Sequence, residues 1–200
     1  MVNAVSCTSA RFCVAVDGQG NAEGYDGTTW TKPKSVDQNY PLNDVSCGAT
    51  NHCIAVDGGG RALTFDDGHW STPKLIDDTS LTAVSCPTAR FCVAVDLLGR
   101  AMTFDGSSWS SPRPIDTLAD GPLAVSCPRV SRCVAVDSAG RVLFLTGDGW
   151  SAPSAPKSNL GFRTSLVDVS CPVGSSNVCV AVDSSGDVLT TTDAFGPRST

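Results

Sequence analysis

Ten cysteines are the residues of this chain best suited to chemistry, and they fall into five regular pairs. Cys7 and Cys13, Cys47 and Cys53, Cys86 and Cys92, and Cys127 and Cys133 each enclose five residues, while Cys171 and Cys179 enclose seven. Paired thiols can form disulfides or hold zinc. Structural zinc favours C-x2-C spacing, recruits histidine and gathers thiols in fours; the cysteine pattern here does none of these. One bridge within each pair is the expectation, and with it an oxidising compartment. Two cysteines flanking a hairpin connection face each other across antiparallel strands, at a separation a disulfide accepts. Each bridge closes a short loop, worth roughly 2 kcal/mol on the chain-entropy estimate.

Three further sets of residues recur in step with the cysteines. Trp30, Trp70, Trp109 and Trp150 each lie 17 residues past a second cysteine, and Phe195 lies 16 past Cys179. Their rings could stack on sugars or on a partner, or pack between repeated units behind a turn. Asp17, Asp57, Asp96, Asp137 and Asp183 end a C-V/I-A-V-D run and open an Asp-x-x-Gly segment, the setting of a turn-capping carboxylate. Asp26, Asp66, Asp105 and Asp148 do the same in the following turn. Calcium at these turns would need alternating carboxylates, which are absent. Arg61, Arg100 and Arg141 follow the turn glycine, where the first and fifth copies carry Asn21 and Asp187. They could grip carboxylates through two hydrogen bonds or lie on a solvated strand edge. His52 and His69 occur singly and read as surface positions. The candidate ligand-binding residues are therefore Trp30, Trp70, Trp109, Trp150, Arg61, Arg100 and Arg141.

These residues do not assemble a catalyst. Catalysis needs different groups in different roles around one point. The copies stay alike, and Glu23 is the sole glutamate, so no carboxylate pair of the glycosidase kind arises from it. No nucleophile elbow, phosphate loop or metal-spaced histidine cluster is present. The expectation is no enzyme activity, no catalytic residue, no metal and no cofactor.

The elements that must position these residues follow from the repeat. Successive V-S-C cysteines are 40, 39, 41 and 44 residues apart. The third copy, Val84–Asp116, shows the unit most cleanly. Leu81–Cys86 reads as a first strand, Pro87–Phe91 as a connection and Cys92–Asp96 as a second strand. Arg100–Phe104 reads as a third strand, Asp105–Ser108 as a tight turn and Trp109–Ile115 as a fourth strand. Pro112 and Pro114 confine that last strand to a sheet edge. Four antiparallel strands ending in a proline-bearing edge describe a β-propeller blade, and the continuous apolar run of the second strand fits a sheet covered on both faces. The fold class expected is all-β: one five-bladed β-propeller domain over 1–200, with one intra-blade disulfide per blade. The blades fall near 1–39, 40–78, 79–118, 119–160 and 161–200. An open solenoid is the alternative, but it would need polar end caps. Closure would rest on face-to-face packing of blades one and five, without a strand exchanged from the N-terminus.

Composition narrows the partners. The net charge is −6 and the basic residues are scattered, which disfavours nucleic acid. No apolar run approaches membrane-span length. Paired cysteines without a leading export signal point to a mature secreted form or a domain of a longer secreted precursor.

The segments Thr64-Phe-Asp-Asp-Gly-His-Trp70, Thr103-Phe-Asp-Gly-Ser-Ser-Trp109 and Tyr25-Asp-Gly-Thr-Thr-Trp30 resemble shortened Asp-box hairpins of sialidase-like propellers. Five blades of about 40 residues are similar in plan to tachylectin-type lectins, and the whole repeat looks like Cys-paired propeller repeats of exported bacterial proteins. Near-identical blades create four or five near-identical clefts, so the leading expectation is a monomeric, non-catalytic module that recognises carbohydrate multivalently. The alternative is a protein-interaction platform, or an appended domain of a larger secreted enzyme, receptor or toxin. The visible variation lies in connectors such as Val36–Asn43 and Ala155–Thr164; repeat symmetry favours the glycan, while the Ala155–Thr164 connector favours a single protein partner.

Overall fold

Small β-branched and alanine side chains dominate the second strand of every repeat, and they form the centre of every blade. A computed structural model of the protein describes residues 1–117, 121–147, 149–156, 164–174 and 178–191. Blade 1 comprises β1 (Val2–Ser9), β2 (Phe12–Asp17), β3 (Asn21–Tyr25) and β4 (Lys34–Ser35). Blade 2 comprises β5 (Leu42–Ala49), β6 (His52–Asp57), β7 (Arg61–Asp66), β8 (His69–Trp70) and β9 (Lys74–Leu75). Blade 3 comprises β10 (Leu81–Thr88), β11 (Phe91–Asp96), β12 (Arg100–Phe104) and β13 (Arg113–Pro114). Blade 4 comprises β14 (Pro122–Arg129), β15 (Arg132–Asp137), β16 (Val142–Thr146) and β17 (Gly149–Trp150). Blade 5 comprises β18 (Leu166–Ser170), β19 (Cys179–Asp183) and β20 (Val188–Thr191). Each sheet is antiparallel and runs in sequence order, except that β9 of blade 2 pairs with β7. The fold is an all-β propeller of five blades.

Five disulfides join Cys7–Cys13, Cys47–Cys53, Cys86–Cys92, Cys127–Cys133 and Cys171–Cys179, one per blade. In blades 1 and 2 the bridged cysteines are direct partners across the ladder, which then continues over a bulge to Ser9↔Phe12 and Ala49↔His52. The five-residue connection expected between the first two strands is therefore shorter than read. The strands run past the bridge and reverse over two residues.

The fourth strand differs too. It is not one run but two short contacts on the third strand. Trp70 pairs with Phe65 and Leu75 pairs with Arg61, while the segment between them leaves the sheet. Blades 1, 3 and 4 repeat this split. The cause is local: Pro33, Pro73, Pro112 and Pro153 fall in the gap and have no N–H to give the ladder. A hydroxyl compensates nearby. The N–H groups of Gly24, Thr64, Thr103 and Phe144 donate to the side-chain oxygens of Thr31, Ser71, Ser110 and Ser151, at 2.9 to 3.0 Å. The outer part of blade 5, with Phe195, lies outside the described residues, as do Asp148 and positions 157–163 of the connector before Thr164.

Blades stack through apolar clusters, each contributed by two neighbours. Val14, Val16 and Ala22 meet Leu42, Val45, Cys53, Ala55 and Leu63. Equivalent clusters join blades 2 and 3, 3 and 4, and 4 and 5. Among the described residues no such cluster joins blade 5 to blade 1. The face-to-face closure expected between them is not formed there.

Candidate functional site

The polar sites of this molecule grow from the turn between second and third strands. Asp57 ends β6, and its Oδ1 accepts from the N–H groups of Gly59 (2.8 Å) and Arg61 (2.9 Å), closing the turn. Its Oδ2 accepts from Arg61 Nε at 2.7 Å. Arg61 Nη2 then reaches across the seam to Asp37 Oδ2 at 2.5 Å. Asp37 lies in the connector from the outer strand of blade 1 to the inner strand of blade 2. The guanidinium thus ties that connector to the next blade's turn.

Two other seams copy the device. Arg100 pairs with Asp96 and Asp77, and Arg141 with Asp137 and Asp116. All six of these aspartates are buried, and the arginine side chains are only 15 to 20% exposed. The solvated strand edge expected for Arg61, Arg100 and Arg141 is therefore corrected: each guanidinium is committed to two buried carboxylates. Blades 1 and 5 vary the theme without arginine. Asn21 Nδ2 donates to Asp17 Oδ2 at 2.9 Å, and Thr164 Oγ1 donates to Asp183 Oδ2.

Asp37, Asp77 and Asp116 were not among the residues singled out from the sequence. Their signal was readable: each lies seven residues past a tryptophan, and each precedes a repeat whose turn glycine is followed by arginine. The serine of V-S-C was missed as well. Ser6, Ser46, Ser85 and Ser126 each accept the N–H of the next blade's first cysteine, at 2.9 Å.

The seam between blades 2 and 3 departs from its neighbours. Arg100 Nη2 also reaches Asp78 Oδ1 at 2.7 Å, so three carboxylates share one cation. Asp77 Oδ2 is buried with no hydrogen-bond partner among the described residues. Burial, followed by the neighbouring carboxylates of Asp96 and Asp78, pushes the Asp77 carboxyl up to about 7. Asp78 is exposed. These groups, with Leu75, Ile76 and Pro112, line an open groove. Beside it, the turn of blade 3 carries Leu97 and Leu98, both exposed. The same two positions hold Gly18-Gln19, Gly58-Gly59, Ser138-Ala139 and Ser184-Ser185 in the other blades. Leu97 N–H donates to Ser80 O, which brings that turn next to the Asp77–Asp78 connector.

The tryptophans lie at the opposite ends of the blades' third strands. Trp30 packs on Tyr25, Trp70 on Phe65 and Trp109 on Phe104, with ring centroids 5.2 to 5.4 Å apart. Trp70, Trp109 and Trp150 also pack against the seam with the preceding blade. They are not brought together with the arginines. His52 Nδ1 lies 3.5 Å from Asp66 Oδ1, half-buried rather than on the surface, and His69 is exposed. Among the described residues no group of three or more His, Cys, Asp or Glu is placed to hold a metal ion. No helix there is long and apolar enough to cross a membrane.

No protein-family model and no curated protein sequence matches the chain. Solved structures do. The Neurospora crassa Pan2 WD40 domain aligns over 94% of this chain and 62% of its own, with a TM-score of 0.66 and 12% identity. The computationally designed Ika8 protein aligns over 98% and 59%, with a TM-score of 0.69 and 14% identity. YCF48, solved bound to a D1 peptide, aligns over 97% and 64%, with a TM-score of 0.66 and 14% identity. The chain spans about three fifths of the length of these structures. At this identity the likeness is one of fold: a β-propeller.

Proposed function

We propose that the chain is a non-catalytic, exported binding module whose partner is a protein segment, taken at the seam between blades 2 and 3. The observation that carries this is the asymmetry of that seam. One turn of five bears two exposed leucines, and the connector beside it bears a third carboxylate around Arg100. An apolar pair beside an acidic groove suits a segment offering an apolar anchor and a lysine or arginine. The peptide bound to YCF48 supports a protein partner by analogy of fold alone. The five bridges support export.

The carbohydrate reading keeps one support, the recurrence of Trp30, Trp70, Trp109 and Trp150 in Asp-box-like hairpins of a lectin-like plan. Three of these rings pack into seams, which leaves them less face for a sugar.

The test is a peptide array of basic and apolar sequences run beside a glycan array on the oxidised protein. Expected is a set of peptides bound one to one, with affinity reduced about tenfold or more by Leu97→Ser/Leu98→Ser. Asp78→Asn should weaken the same peptides by a smaller factor and reduce their salt dependence. A blank peptide array with several equivalent glycan sites overturns the proposal.

A further inference from the structure

Every internal seam is built with the same polarity. A blade's trailing face offers the V-S-C serine oxygen, and the next blade's leading face offers the N–H of its first cysteine. A reciprocal bond runs the other way, from a trailing face to the next leading face: Asn3 Nδ2 donates to Leu42 O and Asn43 Nδ2 to Leu81 O. The apolar complement is equally regular: the leading face of blade 2 presents Leu42, Val45, Cys53, Ala55, Leu63 and Trp70.

Among the described residues, the two end blades carry these same faces without cover. On the leading face of blade 1, Val5 is 58% exposed where Val45 is 4%, Val2 is 55% where Leu42 is 0%, and Trp30 is 45%. On the trailing face of blade 5, Val188 is 57% exposed where Ala62 is 4%. Ser170 is exposed, unlike its four counterparts in blades 1 to 4. Ala15 and Cys13 of blade 1 stay buried, being small and flat on a middle strand.

We infer that blades 1 and 5 are the open ends of an arc, and that further blades of this same repeat, continuous with this stretch of polypeptide, complete the ring. A soluble sheet face of this apolar character calls for a partner. Both the hydrogen-bonding polarity and the valine pattern specify a blade of the same kind. The solved propellers accept nearly all of this arc and leave roughly two fifths of their own length unmatched. That remainder is shorter than the arc itself, so the gap suits fewer than five blades and does not suit a second copy. Blade 1 adds a requirement. Glu23 stands on its leading face where Leu63, Met102 and Leu143 stand in blades 2 to 4, and Asn21 stands where they carry arginine. The blade that meets it must offer a donor to Glu23.

Hydrogen exchange and sedimentation test this on the oxidised 200-residue chain and on the same chain extended by two or three copies of segment 79–118. Expected for the unextended chain is a monomer whose peptides around Val5 and Val188 exchange at least tenfold faster than those around Val45 and Ala101. Expected for the extended chain is slower exchange around Val188 and a higher Tm. Within the unextended chain, Val5→Glu leaves Tm unchanged while Val45→Glu lowers it sharply. Equal losses from the two substitutions, or protection around Val5 and Val188 in a monomer, would show that five blades already close and would sink the inference. Protection that appears only with concentration would make the occupant a second copy and overturn continuity. A folded extension that leaves Val188 exchange unchanged also overturns it.

Discussion

Asp77 and Asp105 stand at opposite rims of the propeller, each beside a turn, and their environments treat charge in opposite ways. On the rim of connectors and second turns, burial comes first among the causes that push Asp57, Asp77 and Asp137 above the usual carboxylate range. Each depends on an arginine for compensation. On the other rim, Asp26 and Asp105 are exposed and held down at about 2, chiefly by the N–H groups of Thr29 and Ser108 and then by Thr28 and Ser107. The short motif is nearly the same at both rims. At Asp57, Asp77 and Asp137 a neighbouring blade covers the carboxylate and burial wins, whereas at Asp37, buried on the same rim, burial is outweighed by hydrogen bonds with Asp57, Asn39 and Tyr40. The covered rim builds the seams; the open rim only closes hairpins.

The largest break in this comparison should come from Arg100→Met. It leaves Asp77 and Asp96 buried without a counter-charge, and removal of one partner from such a group costs about 3–5 kcal/mol. Urea denaturation should show that loss, and a value under about 1 kcal/mol would mean the cluster is hydrated. Next comes Gly60→Ala. Gly60 has φ +78° and its absent Cβ would lie 2.3 Å from the Asp77 carbonyl oxygen, so the strained backbone and the clash together should cost about 2 kcal/mol or more. Gly68 on the other rim has φ +89° but open space around it, and Gly68→Ala should cost only about 1 kcal/mol.

A pH series separates the rims further. Asp77 titrates near 7 folded and near 3.8 unfolded, so its contribution is complete below about 3.8 and is lost as pH rises through 7. Asp26 and Asp105 behave in reverse, contributing above about 3.8 and fading as pH falls through 2. The Tm should therefore be higher at pH 5.5 than at pH 8, and Asp77→Asn should reduce that difference without removing it, because burial also pushes Asp44 up to about 7. The smallest effect is expected from Asp105→Asn, a slight lowering of Tm at neutral pH that disappears toward pH 2.

The repeat made much of the architecture legible. Five cysteine pairs, the C-V/I-A-V-D run and the periodic tryptophans point to blades, bridges and turn caps, because each depends on contacts a few residues apart. What the sequence hid depends on contacts about 25 to 40 residues apart. Arg61 looked solvated because its partner Asp37 belongs to the previous blade. Ser46 looked like filler in V-S-C because its hydrogen bond is made with Cys86. The split outer strand was half visible, since Pro112 marked an edge but not the gap it makes. Leu97 and Leu98 were passed over because two leucines in a turn mean little until the structure shows them exposed beside Asp78.

Each sulfur bridge begins and ends inside one hairpin. A gene that gains or loses a repeat therefore strands no thiol and forces no reshuffling among the others. The pairing of thiols in one unit is the same however many units stand beside it, so blade number can change while the covalent connectivity of each blade stays the same.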